Sequence, residues 1–256
     1  THRLFTRSSA SSRARPNAVI MQEIAVFPVI PVAWLRNQSG MQGGEQLREH
    51  EAAECNADWL EIRDLILESA PYKRLVHRNV AKQTINRLLE AWMFTKVIVS
   101  ATDFSGFFFQ RCHRAAQPEL RVVAEEFQAK FKASVPTHLP AGQWHLPLIR
   151  EDETDLDLPV AIRVSAGRCA RASYQTHDGI RSIDADLDLF DRLTLRADET
   201  DPAHWSPLEH VARSQFERRN CGNFRGFTQL RKFFANEHAT NRNDVTDTHP
   251  YFGPCA

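Results

Sequence analysis

The chain has 256 residues, of which 42% are hydrophobic, and its 32 Lys plus Arg equal its 32 Asp plus Glu. This length and apolar content are sufficient for one large domain or two small ones with a real core. A net charge of zero excludes recognition of nucleic acid or a membrane surface by overall field, so any anion must be bound by local clusters of cations.

The cysteines and the apolar segments indicate the cellular compartment of the protein. Five cysteines occur without a C-x-x-C pair, which argues against a disulfide framework and against a zinc site. No apolar run approaches the ~18 residues of a membrane span. We therefore expect a cytoplasmic protein that does not bind a metal.

The segment that ends at Pro16 is rich in Arg and Ser and contains no acidic residue. This composition is typical of an organelle transit peptide or a basic tail. The chain also lacks a starting Met, and its first residue falls within a recognisable pattern, which favours a chain that continues upstream. Composition leaves these interpretations open.

The next part of the chain predicts helices. Helical spacing of apolar residues predicts a long helix over 45–70 that Pro71 ends, and Asn79 is expected to cap a second helix. Residues 94–100 fit either a short strand or a buried turn of helix. We expect a further helix from Thr102 or Asp103 to Arg111 and an amphipathic helix over 117–133.

A change of composition at the acidic stretch 150–158 predicts a boundary. It separates a first part, 1–158, from a second part, 159–256, within one composite domain. We expect the second part to open with a strand near Val160, to continue with a helix over 184–196, and to carry a polar loop over 204–210. The predicted fold class is helix-rich α+β, with long helices and a mixed sheet.

The N-terminal segment concentrates side chains that suit phosphate. It holds cations and hydroxyls at His2, Arg3, Thr6, Ser8, Ser9, Ser11 and Arg13. Arginine presents a planar fork of donors to phosphate oxygens, and hydroxyls complete the shell. The string T-H-R-x-x-T-x-S-S-x-S-x-R resembles the R-H-R-x-x-S-x-N-E-x-S-x-R signature of flavin-dependent thymidylate synthases.

Further blocks carry the same resemblance. The helical half of that family is similar to Asn86–Glu90, to the stretch from Ala101 to Arg111, and to the A-Q-P-E turn that begins at Ala116. The family's A-R-x-S-[FY] and H-x-[ST]-P-F-E-H elements resemble 170–174 and 204–210. In the common form these two elements precede the signature, so their order here implies a rearranged or circularly permuted branch. The G-N-F-R-G element at 222–226, followed by Gln229, Arg231 and Lys232, is attributed to that branch.

The resemblance implies an activity. Members bind FAD, deoxyuridine monophosphate and methylenetetrahydrofolate, transfer a one-carbon unit to C5 of uracil, and complete the methyl group with hydride from flavin that NADPH has reduced. It also implies a homo-oligomer, expected to be a tetramer, and neither a membrane nor a nucleic-acid partner. Such a site needs cations for the nucleotide phosphate and a polarising charge at the uracil.

The resemblance also assigns residues. Arg111 falls at the position of the arginine that faces uracil, and it is the expected catalytic residue. Nucleotide contacts are expected from Ser11, Ser12, Arg13 and Arg87, with Asn86 as the alternative to Arg87. Flavin contacts are expected from His2, Arg3, Ser9, His204 and Ser206. No enzyme nucleophile is expected, and Cys112, next to Arg111, is expected to point elsewhere.

Departures from the family pattern support a second hypothesis. The family's Asn-Glu pair is Ser8-Ser9 here, its first arginine is Thr1, and a common asparagine five positions before the catalytic arginine is Gly106. A nucleotide-binding homologue that has lost or altered flavin chemistry is therefore the alternative function.

Single features have simpler interpretations as well. Ser11 and Arg13 also fit a solvated basic tail, and Arg111 also fits a helix arginine paired with Glu119 or Glu126. His210 beside Glu209 lacks a third metal ligand at suitable spacing. The four phenylalanines within 104–109 are expected to pack in a core and not to stack on a flavin.

Overall fold

The computed structural model describes residues 15–39, 43–172, 182–194, 205–217 and 220–234, together with the backbone of 6–8, 248–249 and 253–254. The chain divides into two compact units that do not follow chain order. Unit 1 comprises the described residues of Thr1–Ala10, Lys96–Asp103 and Thr137–Ala256. Unit 2 comprises those of Ser11–Thr95 and Phe104–Pro136. The sequence boundary near residue 158 stays a prediction.

The described residues form eight α-helices, most of them in unit 2. They are α1 (Asn17–Val26), α2 (Glu49–Glu68), α3 (Ala70–His77), α4 (Lys82–Ile85), α5 (Ser105–Arg111), α6 (Pro118–Ala133), α7 (Leu158–Ala170) and α8 (Ile183–Thr194). 3-10 helices cover Asn86–Trp92, Glu151–Glu153, Ser206–Glu209 and Leu230–Phe233. Among the residues that the structure describes, no helix is both long and apolar enough to cross a membrane.

The strands are short and lie in unit 1. They are β1 (Thr6–Ser8), β2 (Ile98–Ser100), β3 (Trp144–His145), β4 (Ala212–Ser214), β5 (Asn220–Cys221), β6 (Phe224–Arg225), β7 (Phe227–Gln229), β8 (Thr248–His249) and β9 (Gly253–Pro254). They pair as β1-β2, β3-β4-β7, β5-β6 and β8-β9, and every pair is antiparallel. The helix-rich α+β class is confirmed, but the predicted mixed sheet is wrong for the described residues. Strands of two or three residues form separate ladders, and no parallel pair occurs among them.

Unit 2 packs its first helices around an apolar core. Ile20, Ile24, Tyr72, Ile85, Leu89 and Trp92 are buried together, with Trp59 and Met93 packed against them. The ring of Trp59 lies 5.4 Å from that of Trp92, and its indole N–H donates to the carbonyl of Val29 at 3.0 Å. Burial of these large side chains is the main stabilising contribution within this group of helices.

The helix predicted over 45–70 is confirmed as α2, but its end has a different cause. Ser69 separates α2 from α3, and its hydroxyl accepts a hydrogen bond from the N–H of Tyr72 at 3.3 Å. Pro71 lies in the first turn of α3, where its missing N–H costs nothing. Pro71 therefore belongs to the first turn of the next helix and does not end α2.

Asn79 ends α3 and does not cap α4, so the predicted cap is wrong. Its φ of 52° is left-handed. Its N–H donates to the carbonyl of Val76 at 3.0 Å, and the N–H of Val80 donates to that of Leu75 at 3.3 Å. These two bonds form a Schellman motif, in which asparagine is the second choice after glycine. Both Leu75 and Val80 pack against the core of unit 2, which completes the motif.

Helices α5 and α6 pack through phenylalanines. The rings of Phe104 and Phe108 lie 5.0 and 5.2 Å from that of Phe127, and Phe107 lies 5.7 Å from Phe108. Centroid distances in this range are typical of attractive aromatic pairs. The expected packing role is confirmed for these residues. Phe109, in contrast, is 84% exposed.

The strand expected near Val160 is wrong, because these residues form a helix of unit 1. Residues near Val160 belong to α7, with Pro159 in the first turn. Val160 to Val164 contain β-branched residues, but small residues such as Ala161, Ala166 and Gly167 allow close helix packing. A Cβ on Gly167 would lie 2.4 Å from the backbone oxygen of Asp186 on α8, so only glycine permits this approach.

The core of unit 1 joins α7 and α8 to the three-stranded sheet. Its buried members are Trp144, Ile162, Ala166, Phe190, Leu208, Val211 and Leu230. Trp144 on β3 pairs with Arg213 on β4, and Ala212 pairs with Gln229 on β7. The core therefore fixes the segment 206–211 between α7 and the sheet.

Candidate functional site

Most of the predicted signature lies outside the described residues. This applies to His2, Arg3, Ser9, Ser11, Ser12, Arg13 and His204. The structure describes Arg87 and Arg111, both in unit 2, and Ser206, in unit 1.

Arg111 is the last residue of α5 and is exposed. Within the described part of the chain it has no ion pair, and Glu126 instead pairs with Lys130 at 3.3 Å. A cation in the last turn gains from the helix dipole, but its guanidinium stays available to a ligand. Cys112, the next residue, caps α5 and is half-buried.

Arg87 and Asn86 are adjacent but have different surroundings. Asn86 is fully buried, its side-chain N–H donates to the carbonyl of Arg15 at 3.0 Å, and its oxygen accepts from Asn17 at 2.8 Å. Arg87 is exposed and has no side-chain partner among the described residues. Asn86 therefore holds the start of α1, and Arg87 is the better candidate for a phosphate contact.

Ser206 begins a 3-10 helix whose other members are buried. Pro207, Leu208 and Glu209 point into unit 1, whereas Ser206 is half-buried. Leu208 belongs to the core, and Pro207 lies in the first turn, where a missing N–H is tolerated. The S-P-L-E-H sequence thus fixes a short helix through its buried residues and leaves the first residue of that helix, Ser206, near the surface.

His210, directly after this helix, is fully buried and neutral. Its Nδ1 lies 2.9 Å from the hydroxyl oxygen of Ser100 on β2. Burial, and then the neighbouring His145, lowers the pKa of His210 to about 4. Its Nε2 is buried without a hydrogen-bond partner among the described residues. A neutral imidazole is the form that this environment tolerates.

Glu209 and Gln229 connect this helix to the hairpin of β5 and β6, which contains most of the G-N-F-R-G element. The carboxylate of Glu209 forms an ion pair with Arg231, and the side-chain amide of Gln229 donates to the Glu209 carbonyl at 3.0 Å. The same amide lies against Gly222, where φ is 58° and an added Cβ would be 2.8 Å from the Gln229 oxygen. The G-N-F-R-G element and the S-P-L-E-H element therefore form one polar cluster.

Strand β1 meets this cluster through its backbone. Thr6 pairs with Ser100, the residue that contacts His210, and Ser8 pairs with Ile98. Strand β1 also lies next to the 3-10 helix Ser206–Glu209. Unit 1 therefore brings the strand that follows His2 and Arg3 together with the helix that follows His204.

Arg171, from the A-R-x-S-Y tract, belongs to a buried ion network. Arg168 donates from Nε to Asp186 at 2.9 Å and from Nη2 to Glu153 at 2.6 Å, and Arg171 pairs with the other oxygen of Asp186. Asp186 is fully buried. The Arg168 guanidinium lowers the pKa of Glu153 to about 2. Because its charges satisfy one another, this network is structural in the described part of the chain.

The described residues are compatible in kind with a bound flavin. Trp205, next to Ser206, has a buried indole N–H without a hydrogen-bond partner in the described ranges. A buried donor without a partner is costly and is satisfied by a water or a ligand acceptor. A flavin offers carbonyl and phosphate acceptors, so Trp205 and Ser206 are the described residues that suit it.

In the described ranges, neither a metal-ligand cluster nor the buried thiol of Cys169 adds to the candidate site. In the described ranges no three His, Cys, Asp or Glu residues gather as a metal would require. Burial raises the pKa of Cys169 to about 12, so this thiol stays protonated and inert.

Ser100, His145 and Gln229 are site neighbours that the sequence patterns did not identify as such. No motif contains Ser100 or His145, and only the three-dimensional pairing of β1 with β2 and of β3 with β4 brings them to the 3-10 helix. Gln229 and Arg231 were noted in the sequence, but their contacts with Glu209 required the fold.

No protein-family model matches the chain, and comparisons with curated proteins and with solved structures also found no match.

Proposed function

We propose that this chain is a flavin-dependent thymidylate synthase that methylates deoxyuridine monophosphate, with FAD as cofactor and methylenetetrahydrofolate and NADPH as co-substrates. The proposal rests on the agreement of four motif blocks with one family and on the arrangement of two of them in unit 1. We also propose that the chain has the fold of that family.

The adjacency of β1 and the 3-10 helix Ser206–Glu209 carries the proposal. The resemblance assigns flavin contacts to His2 and Arg3, just before β1, and to His204 and Ser206, at the start of that helix. These segments lie at opposite ends of the sequence, and a chance match of motifs gives no reason for them to meet. Their proximity in unit 1 supports a shared flavin-binding role.

The exposed arginines of unit 2 support nucleotide recognition. Arg111 has a guanidinium that is available at the end of α5, where it would face the negative charge that develops on uracil. Arg87 would bind the nucleotide phosphate, which needs a cation without an internal acidic partner. When bound, reduced FAD supplies the hydride, and the role of Arg111 is to stabilise the charged pyrimidine.

The surface of unit 2 supports a homo-oligomer. Helix α2 has 20 residues, and none of them is buried. Its Ile62 and Leu65 are 49% and 63% exposed, and Val123 on α6 is 62% exposed. Ile62 and Leu65 are three residues apart and share a face of α2, and contiguous exposed apolar surface is typical of a contact site. We propose that a second copy of this chain covers α2, as a tetramer of the family type requires.

The oligomer is tested by a substitution on α2. We expect Leu65→Ser to shift the assembly towards smaller species in light scattering, with little change in circular dichroism, because Leu65 contributes no core burial within its own chain. Exposed Glu61→Ser on the same helix is the control. An unchanged mass for Leu65→Ser would place the subunit contact elsewhere.

Flavin binding tests the function itself. The full-length chain should be purified and its visible absorbance recorded before and after addition of FAD. We expect a yellow protein, and a lower flavin affinity for Ser206→Ala than for the control Ser105→Ala on α5. Colourless protein that binds deoxyuridine monophosphate would instead favour the alternative, a nucleotide-binding homologue without flavin chemistry.

A further inference from the structure

A surface on α3 and α4 carries cations that have no acidic partner among the described residues. It consists of Arg74, His77, Arg78 and Lys82, which are all exposed, and is named here the α3–α4 cationic surface. The sequence contains no Asp or Glu between Glu68 and Glu90. Positive charge is therefore concentrated in a protein whose net charge is zero.

Several arginines elsewhere in the described part of the chain are paired. Arg36 and Arg48 bind Glu51, and Arg163 binds Asp191 at 2.6 Å. In contrast, the side chains of Arg74, Arg78 and Lys82 have neither an ion pair nor a hydrogen bond within the described ranges. The cationic surface shares this property with Arg87 and Arg111, but it gathers three such cations in one short stretch of the chain.

The backbone holds these cations in a fixed arrangement. The N–H of Arg78 donates to the carbonyl of Arg74 at 3.0 Å, so the two residues are one helical turn apart and share a face. The Schellman motif at Asn79 then turns the chain, and Lys82 is the first residue of α4. A capped turn, and not a loose loop, separates the cations.

The helix dipole explains the positions of only some of the cations in the α3–α4 cationic surface. Arg74 and His77 lie in the last turn of α3, where positive charge is favourable. Lys82, however, lies in the single turn of the four-residue α4, where a helix dipole gives it little stabilisation, and like charges at Arg74 and Arg78 repel each other. An external anion would relieve this repulsion.

We propose that the α3–α4 cationic surface binds the diphosphate group of a dinucleotide. The guanidinium groups of Arg74 and Arg78 can each bind two oxygens of one phosphate group, and the Lys82 ammonium adds a third positive charge. A monophosphate would engage only one of the forks. The proposal extends the proposed function, because FAD and NADPH both contain this group, but it uses residues other than Arg87 and Arg111.

Calorimetric titration of the full chain with inorganic diphosphate tests the surface without any flavin. We expect the double variant Arg74→Gln/Arg78→Gln to bind diphosphate about tenfold or more weakly than the wild type. The matched control is Lys130→Gln/Lys132→Gln, which removes two exposed cations of α6 and should leave the affinity unchanged. Wild-type affinity should also fall as salt is raised.

Several results would overturn the inference. These are the absence of diphosphate binding by the wild type, an equal loss in the two double variants, and a change of oligomeric mass in Arg74→Gln/Arg78→Gln, which would make this surface a subunit contact. Titrations of the wild type and of Arg74→Gln/Arg78→Gln with FAD and with NADPH identify which dinucleotide this surface binds, because only that dinucleotide should bind the double variant more weakly than the wild type. If the double variant binds both as tightly as the wild type does, a dinucleotide is excluded. If diphosphate binding behaves as expected while the protein takes up no flavin, the proposed function fails and this inference stands.

Discussion

The two units differ in how deeply their ion pairs are buried. Unit 1 pairs its charges internally, as in the contacts of Asp186 with Arg168 and Arg171 and of Glu209 with Arg231. Unit 2 buries tryptophans and aliphatic residues, while Arg87 and Arg111 remain exposed without internal partners in the described ranges. Buried ion pairs hold unit 1 together, whereas ion pairs of unit 2 such as Arg36 with Glu51 lie nearer the surface, and Arg87 and Arg111 remain available for ligands.

This difference indicates what a substitution should do in each unit. Removing a charge from a buried network leaves its partner desolvated, so the cost appears in stability. Removing an exposed cation leaves the fold intact, so the cost appears in binding or turnover.

The largest effect is expected for Asp186→Ala. Asp186 is fully buried and contacts two arginines, so its loss leaves buried positive charge uncompensated. We expect the free energy of unfolding to fall by about 3–5 kcal/mol in urea titrations. Exposed Asp188→Ala on the same helix should change it by less than about 0.5 kcal/mol. A loss below 1 kcal/mol for Asp186→Ala would show that the network does not stabilise unit 1.

Arg111→Ala should affect turnover and not stability. Deletion of a preorganised donor at developing charge costs about 3 kcal/mol, or about a hundredfold in rate. Arg111→Lys should restore little, because a point charge does not reproduce the guanidinium fork. Single-turnover kinetics, with exposed Arg114→Ala as control, measure the effect. Wild-type turnover in Arg111→Ala would contradict the catalytic assignment.

Arg13→Ala provides the complementary result, although Arg13 lies outside the described residues. By the resemblance, Arg13 meets a phosphate whose charge is the same in the ground and transition states. Its loss should therefore raise KM and leave kcat nearly unchanged. A fall in kcat with unchanged KM would instead give Arg13 a role in the chemical step.

His210 should make unit 1 less stable as the pH falls. Its pKa in the folded protein is about 4, below the ordinary value of 6.5. Between these two pH values the histidine binds a proton in the unfolded chain but not in the folded one. The free energy of unfolding is therefore highest above pH 6.5 and decreases towards pH 4, by up to about 3 kcal/mol. His210→Gln should flatten this dependence in urea titrations, and exposed His50→Gln should not. An equally steep profile for His210→Gln would contradict the assignment.

The smallest change concerns Gly106, where the family commonly has asparagine. A Cβ at this position would meet nothing within 4 Å. Because asparagine is a slightly better helix residue than glycine, Gly106→Asn should alter stability by only a few tenths of a kcal/mol. We expect nucleotide affinity to rise about fivefold, as one added hydrogen bond allows. Weaker nucleotide binding, measured by calorimetry, would show that this position has another role.

Sequence patterns predicted much of the local structure where helical periodicity is long. Helices α2, α6 and α8 agree with their expected ranges, since each has apolar spacing and clear ends. The start of α7 was misread because β-branched residues favour strands locally, and packing against α8 decides the outcome. Asn79 was misread because asparagine serves both as a helix start and as a left-handed helix end.

The candidate site is less predictable than the helices. Motifs identified Arg87, Arg111 and Ser206, but periodicity gave no sign that Ser100 would meet His210. That contact depends on the pairing of β1 with β2, which joins distant segments of the chain. Likewise, the fully buried amide of Asn86 is distinguished from exposed Arg87 only by tertiary packing.

The central claim is that this chain uses flavin to methylate a uracil nucleotide, and an anaerobic single turnover tests it most directly. Protein reconstituted with FAD and reduced by NADPH would be mixed with deoxyuridine monophosphate and methylenetetrahydrofolate, and absorbance and nucleotide products followed together. The account predicts that oxidised-flavin absorbance returns in step with thymidine monophosphate, in equal amounts, and only when both substrates are present. Flavin that stays reduced with both substrates, or the return of its absorbance without thymidine monophosphate, would contradict it.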